Sequence, residues 1–352
     1  MDGSMCSKLL GVTLLTTVGL LSDNLQAKPL SCHQHFKQLS RVIETNYAGY
    51  ADHGRAWITA EERKISERIE YEPTSDCYSL LSDWLTIFKD PHLTITQVKD
   101  PNMDNGRLSI SASQPNIRWL SETVAYLAIP NFELSNRSTL LSLIQRHAEP
   151  LKKMEGLIVD IRGNQGQSFI VMMELFRLIE TNNYQSRWHV LASKANRSYY
   201  KRLLQRFQYD NKPELESMYS NLVAKMEAYP NTWVEYRWPI AHPDNALPDL
   251  KSIYILTDNA VANAAEEFVI AAKTNDMVTV VGARTRGSLD YGEVVTHSLG
   301  DDDYHVFVPS QKRVWYQYGP IDNKGLSPDI SADTNGDQII NDTYDLILSK
   351  KK

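Results

Sequence analysis

The chain of 352 residues has only three cysteines, no long basic run, no internal repeat and no low-complexity tract. Each shortage excludes something. No cysteine has a second Cys or a His pair at zinc-ligand spacing, and His33 and His35 beside Cys32 form no metal pattern, so no metal site is expected. A formal net charge of −6 without a basic cluster gives no footprint for nucleic acid. Beyond the N-terminus, no uncharged run is long enough to span a membrane. What remains is 42% hydrophobic and 23% charged, the balance of a globular chain with one large core or two smaller ones.

The N-terminus reads as an export signal. Lys8 supplies a weak positive start, Leu9 to Leu21 is apolar and uncharged, and Ala27 is a small residue suited to precede cleavage. Residues 1–27 are therefore expected to be a signal peptide, and the mature protein periplasmic or secreted. A buried N-terminal helix is the alternative. No cysteine directly follows the apolar run, so a lipid anchor is not indicated. Removal of Cys6 with the signal leaves Cys32 and Cys77, and two cysteines in an oxidising compartment favour a disulfide over two buried thiols.

The mature chain divides by texture. Residues 28–98 form a helical region: Phe36, Leu39, Val42, Ile43 and Tyr47 recur at helix spacing, Ala60–Ile69 continues the pattern, and Asp76 stands where a cap would precede Leu80 to Phe88. Pro91 ends it, and residues 92–97 alternate like a strand. Residues 99–352 form an α/β domain. Apolar strands at 124–129, 156–161, 253–256 and 278–281 alternate with helices at 140–151, 169–179 and 264–273, the pattern of a sheet covered on both faces. A polar helical insertion falls near 190–235. After Gly287 the texture turns to β, at 293–299 and 304–309.

Several short segments carry chemistry-bearing groups. Residues 254–268 read as strand, tight turn and helix, with Asn263 at the exposed position of the turn. Many hydrolases hold a nucleophile at such a place, beside fresh helix N–H groups such as that of Ala264. Asp160-Ile-Arg-Gly-Asn-Gln-Gly166 opens a buried strand into a Gly-bearing loop, which serves equally as an oxyanion cradle or a plain βα turn. His92 sits at a helix-to-strand junction, as a general base or a structural imidazole, with Asp90 close enough to hydrogen-bond locally. Asp322 or Asp329 could orient a histidine or cap a turn.

Taken in order, these segments resemble the tail-specific, or C-terminal-processing, serine peptidases and their tricorn-like relatives. Phe88-Lys-Asp-Pro-His92 resembles the element that supplies the family's base. Residues 157–166 are similar to its Asp-x-Arg-Gly-Asn-x-Gly-Gly loop, and Val261-Ala-Asn-Ala-Ala-Glu266 to its nucleophile segment. Val281-Gly-x-x-Thr-x-Gly287 and Asp322-Asn-x-Gly-x-x-Pro-Asp-Ile330 resemble its closing motifs. The resemblance implies a crotonase/ClpP-like α/β fold and serine-type proteolysis of peptides or unfolded polypeptide, with no cofactor. It implies His92 as base, position 263 for the nucleophile, Asp322 as an assisting acid, and Gly163, Gly166, Ala264 and Ser288 around the oxyanion and substrate. The departures are chemical. The nucleophile position holds Asn263, the position of a catalytic Lys in Ser–Lys relatives holds Ser288, and the second glycine of the loop is Gln167. There is also no room between Thr96 and Val124 for a tail-binding PDZ domain.

An amide cannot form an acyl-enzyme, because its N–H is too weak an acid for an imidazole to deprotonate. The leading expectation is a degenerate peptidase that binds peptide with little cleavage. An active enzyme with a relocated nucleophile, Ser168 or Ser288, is the alternative. A purely structural subunit that pairs with an active partner is a third, and homo-oligomerisation stays open. Intact-mass analysis of protein recovered from the exported fraction should lack residues 1 to about 27; a full-length chain retained in the cytosol would contradict the signal.

Overall fold

A computed structural model describes residues 30–71, 76–98, 114–166, 168–176, 178–179, 184–210, 213–238, 247, 249–300, 302–315 and 319–349. The signal segment, residues 99–113 and Gln167 lie outside the described residues.

Three helices open the described chain, α1 (Cys32–Asn46), α2 (Arg55–Tyr71) and α3 (Cys77–Thr86). Ser31 caps α1 through a capping box with Gln34, and Asp76 caps α3 by accepting from Ser79 N–H. Strand β1 (Thr94–Gln97) follows. The α/β region begins with β2 (Asn116–Trp119) and β3 (Val124–Ala128), then α4 (Arg137–Arg146), α5 (Ala148–Leu151), β4 (Gly156–Asp160) and α6 (Phe169–Leu175). The helix expected over 140–151 is broken at His147, which leaves helical dihedrals at ψ 16°. Next come β5 (Arg187–Leu191), a helical hairpin of α7 (Lys194–Tyr209) and α8 (Pro213–Ala228), and β6 (Trp233–Arg237). The chain ends with β7 (Ser252–Thr257), α9 (Ala264–Ala272), β8 (Val278–Gly282), β9 (Tyr291–Leu299), β10 (Tyr304–Arg313), β11 (Ile330–Ser331) and α10 (Gln338–Ser349).

Two sheets organise these elements. The six-stranded sheet runs β11-β8-β7-β4-β3-β2, parallel except for the β2–β3 pair. Its central strands β4 and β7 are buried at every position, as a sheet covered on both faces requires. One face packs Leu157, Val159, Ile253 and Ile255 against α4, α6 and α9. The other packs Ile158, Tyr254 and Leu256 against Ile339, Ile340 and Ile347 of α10. The second sheet runs β1-β10-β5-β6, with β9 also on β10.

The helical region is not a separate unit. Phe36, Leu39, Ile43, Leu81 and Trp84 share one core with Val306 and Val308 of β10. It also donates β1 to that strand, with Thr94 opposite Phe307. The α7–α8 hairpin covers β5 and β6 through Tyr200, Tyr219, Leu222 and Met226. Its start is tied to α1: Ser193 Oγ donates to Asn46 Oδ1 at 2.7 Å, and Asn196 Nδ2 to the Asn46 carbonyl at 3.1 Å.

Cys32 at the start of α1 and Cys77 at the start of α3 are joined by a disulfide, with Cα atoms 5.5 Å apart. Restricting the unfolded chain in this way contributes about 2–4 kcal/mol. Denatured, unreduced mature protein should therefore show no titratable thiol, and Cys77→Ser should lower Tm by several degrees. Two free thiols in that titration would refute the bridge.

Candidate active site

The parallel strands β4, β7 and β8 end on one side of the six-stranded sheet, and their following loops converge there, as loops do at the carboxyl edge of α/β sheets. The loop after β4 brings Gln165, the turn after β7 brings Asn263, and the loop after β8 brings Ser288. His92 reaches them from the junction between α3 and β1.

The β7–α9 turn is held rigidly. Asp258 Oδ1 accepts from the N–H groups of Ala260, Val261 and Gly163, at 3.0, 3.2 and 3.0 Å. Ala262 N–H donates to the Asn164 carbonyl, and Arg286 N–H to that of Val261. Asn263 then adopts φ 58° and ψ −125°, outside the regions a non-glycine residue ordinarily occupies. Such a conformation costs on the order of 1–3 kcal/mol and persists only where surrounding contacts enforce it.

The loop after β4 is stapled by Asn164, which is fully buried. Its Oδ1 accepts from Phe132 N–H at 3.1 Å and Gly166 N–H at 3.0 Å, and its Nδ2 donates to the Ile129 carbonyl at 3.0 Å. Gly166 is required because a Cβ there would stand 2.2 Å from Phe132 N. Asp160 and Arg162 form a second staple, with Arg162 Nη1 also donating to the carbonyls of Thr334 and Gly336. The N–H groups of Gly163 and Gly166, expected around the oxyanion, donate in this structure to Asp258 and Asn164 and shape the loop. Ala264 is different: as the first residue of α9, its N–H is one of those the helix cannot satisfy internally.

The side chains meet at His92. Its Nε2 lies 2.7 Å from Asn263 Oδ1 and 3.2 Å from Ser288 Oγ, and Ser288 Oγ is 3.4 Å from the same Oδ1. Asn263 Nδ2 donates to the Gln165 carbonyl at 3.1 Å. That bond fixes the amide's orientation, since the flipped amide would set oxygen against oxygen. Oδ1 therefore faces His92, and Nε2 must carry the hydrogen. On the other side of the ring, Nδ1 lies 3.4 Å from Asp90 Oδ1, which also accepts the His92 peptide N–H at 2.8 Å. Burial pulls the imidazole's pKa down, but Asp90, the Asn263 bond and the more distant Asp322 outweigh it and hold the pKa above its usual value. With a donor needed at Nε2, the ring presents a hydrogen and not a lone pair to Asn263.

The acid beside the imidazole is thus Asp90. Asp322 makes no hydrogen bond or ion pair with His92. Its Oδ1 accepts from Leu289 and Asp290 N–H at 2.6 and 2.8 Å, while Asp290 returns the exchange to the N–H groups of Ile321 and Asp322. The two carboxyls thereby lock the loop carrying Ser288 to the closing segment. Burial first, then the neighbouring Asp290, raise Asp322 to about 7.

Glu266 completes the frame and is fully buried. It accepts from Thr285 Oγ1 at 2.5 Å and from Gly287 and Ser288 N–H at 2.7 and 2.8 Å. Burial raises its pKa, against the pull of these donors. Gly287, at φ 79°, is indispensable here because a Cβ would stand 2.2 Å from the Ile321 carbonyl oxygen. Sequence motifs located Glu266 and Asp90 without assigning either a partner. Gln165, Asp258 and Asp290 had no sequence signal, because their roles arise from contacts across distant segments. Among the described residues no three His, Cys, Asp or Glu side chains are grouped to hold a metal.

The profile of peptidase family S41 matches residues 123–332. The chain belongs to that family. No curated protein matches it. Among solved structures it is similar to mature CPAF complexed with lactacystin, at 13% identity and TM-score 0.61, covering 91% of this chain and 97% of that one. It is similar to a putative peptidase from Parabacteroides merdae, at 17% identity and TM-score 0.56, covering 89% and 93%. It is also similar to the photosystem II D1 C-terminal processing protease, at 12% identity and TM-score 0.52, covering 87% and 94%. At these identities the likeness establishes a shared mixed α/β fold with a helical N-terminal region.

The raised carboxyl has a consequence for stability. A carboxyl whose folded pKa exceeds its unfolded value of about 4 costs nothing below that value. As pH rises, the unfolded chain ionises first, so stability falls until the folded pKa is reached. For Asp322 that window runs from about 4 to about 7. Asp322→Asn keeps the acceptor for Leu289 and Asp290 and removes the titration. Its Tm should decline less than wild type across this window, read by thermal melts at stepped pH; parallel curves would refute the assignment.

Proposed function

We propose that this S41 member binds peptide or unfolded polypeptide in the cleft around Asn263 and does not cleave it. One observation carries the reading: Asn263 Oδ1 accepts a hydrogen bond from His92 Nε2 while its Nδ2 is held by the Gln165 carbonyl. A serine hydroxyl at this turn would give a proton to the imidazole. The amide oxygen instead takes a hydrogen bond from it, so Nε2 has no lone pair to offer as base toward position 263. Without a nucleophile, a triad site retains only the roughly 10³–10⁴-fold advantage over water that binding and the oxyanion hole supply. The Ala264 N–H, which α9 cannot satisfy internally, and the frame around it support a binding role. On this reading the segment between Thr96 and Val124 holds no tail-binding domain, and recognition is assigned to the cleft itself.

Ser288 supports a second reading, since its Oγ lies 3.2 Å from His92 Nε2. With the hydrogen at Nε2 directed to Asn263, that hydroxyl donates to Asn263 Oδ1 and is not activated. It becomes a nucleophile only if Asn263 releases the ring.

Export to an oxidising compartment is part of the proposal, and the Cys32–Cys77 bond accords with it. Wild-type protein should form no adduct with a serine-reactive phosphonate and show negligible peptidase activity, yet bind an unstructured polypeptide in fluorescence anisotropy. Asn263→Ser should gain phosphonate labelling that His92→Ala abolishes. Wild-type turnover lost in both His92→Ala and Ser288→Ala would overturn this reading in favour of the second.

A further inference from the structure

The turn that presents residue 263 also sets a torsion with chemical consequences for an asparagine. At an L-residue, Cβ stands roughly a third of a turn from N about the Cα–C bond. With ψ at −125°, the nitrogen of Ala264 therefore nearly eclipses the Cβ of Asn263. A five-membered ring through Cγ, Cβ, Cα, C and the Ala264 nitrogen needs this eclipsed arrangement. Ordinary helix and strand values of ψ hold those atoms apart. Here the fold has already met the torsional cost, and only rotation of the side chain about χ1 remains.

Two further features act in the same direction. The Ala264 N–H has no intrahelical acceptor to give up. The Asn263 Oδ1 accepts from His92 Nε2 at 2.7 Å and from Ser288 Oγ at 3.4 Å, so both donors draw electron density from Cγ. The opposing contact is a single hydrogen bond from Nδ2 to the Gln165 carbonyl.

We propose that Asn263 is a self-modification site, converted through a cyclic imide to aspartate or isoaspartate. The Ala264 nitrogen attacks Cγ, and the carbonyl π pair moves onto Oδ1, where His92 and Ser288 donate to it. The tetrahedral centre collapses, the Cγ–Nδ2 bond breaks, and the departing nitrogen takes the proton shed by Ala264 and leaves as ammonia. Water then opens the imide at either carbonyl. The net change is one water consumed and one ammonia released. The product carries a carboxylate against the His92 ring, and in the isoaspartyl form the main chain is routed through the former side chain, which displaces the elbow. This chemistry is independent of whether the cleft holds peptide.

The test uses an internal reference. Asn335 is exposed and precedes Gly336, whose missing Cβ makes its nitrogen intrinsically the more accessible of the two. Purified full-length mature protein is incubated in neutral buffer, native or in guanidinium, and peptide-mapped by mass spectrometry for the gain of about one mass unit at each site. In the native protein, position 263 should convert at least as fast as position 335. In guanidinium the order should reverse, because the torsion is lost and Ala264 is bulkier than glycine. His92→Ala should slow native conversion about tenfold, the worth of one charge-assisted hydrogen bond. Asn263→Gln, whose ring would be six-membered, should show no conversion. The proposal fails if position 263 lags position 335 in the native protein as it does in denaturant, or if Asn263→Gln converts as fast as wild type.

Discussion

Everything distinctive about this site depends on the direction of one hydrogen bond. His92 Nε2 and residue 263 meet at 2.7 Å, a distance that any triad would show. What differs is who donates. The Asn263 oxygen has no proton, and the Gln165 carbonyl prevents the amide from turning its nitrogen toward the ring. The imidazole must donate through Nε2, with Asp90 on the other side of the ring. A hydroxyl and an amide oxygen at the same position would use that nitrogen in opposite ways; only the partner's hydrogen-bonding capacity separates them.

The frame around that bond is intact and energetically demanding. Glu266 is a carboxyl with no exposure to water, and three donors compensate its lost hydration. Asp290 and Asp322 are neighbouring buried carboxyls, each accepting backbone N–H groups from the other's segment. Together with Asp258 and Asn164 they impose on residue 263 a conformation that asparagine does not seek. The strain belongs to the architecture of the elbow and not to the residue now occupying it.

Local patterns went far with elements whose burial is uniform or periodic. The apolar runs of β4 and β7 announced central strands, and the α1 periodicity of Phe36, Leu39 and Ile43 announced the face that now meets β10. Partly exposed strands β2, β5 and β6 carried no such signal. The α5 break at His147 was also hidden, since Leu140, Ile144 and Leu151 keep helical spacing across it. The packing of the helical region against β10 was equally hidden. Nothing local in Phe36 or Trp84 states that their partners lie at Val306 and Val308.

The sequence by itself determined the order of motifs, the helical beginning and α/β body, and the amide at position 263. Those follow from residue type and short-range spacing. Only the tertiary structure decided that Gly163 and Gly166 spend their N–H groups on Asp258 and Asn164, that Asp90 rather than Asp322 stands beside the ring, and that Gln165 orients the Asn263 amide. Each of those is a choice among donors and acceptors brought together from distant segments. A backbone N–H or an amide can satisfy many partners, and which one it takes is settled by packing, not by its neighbours in the chain.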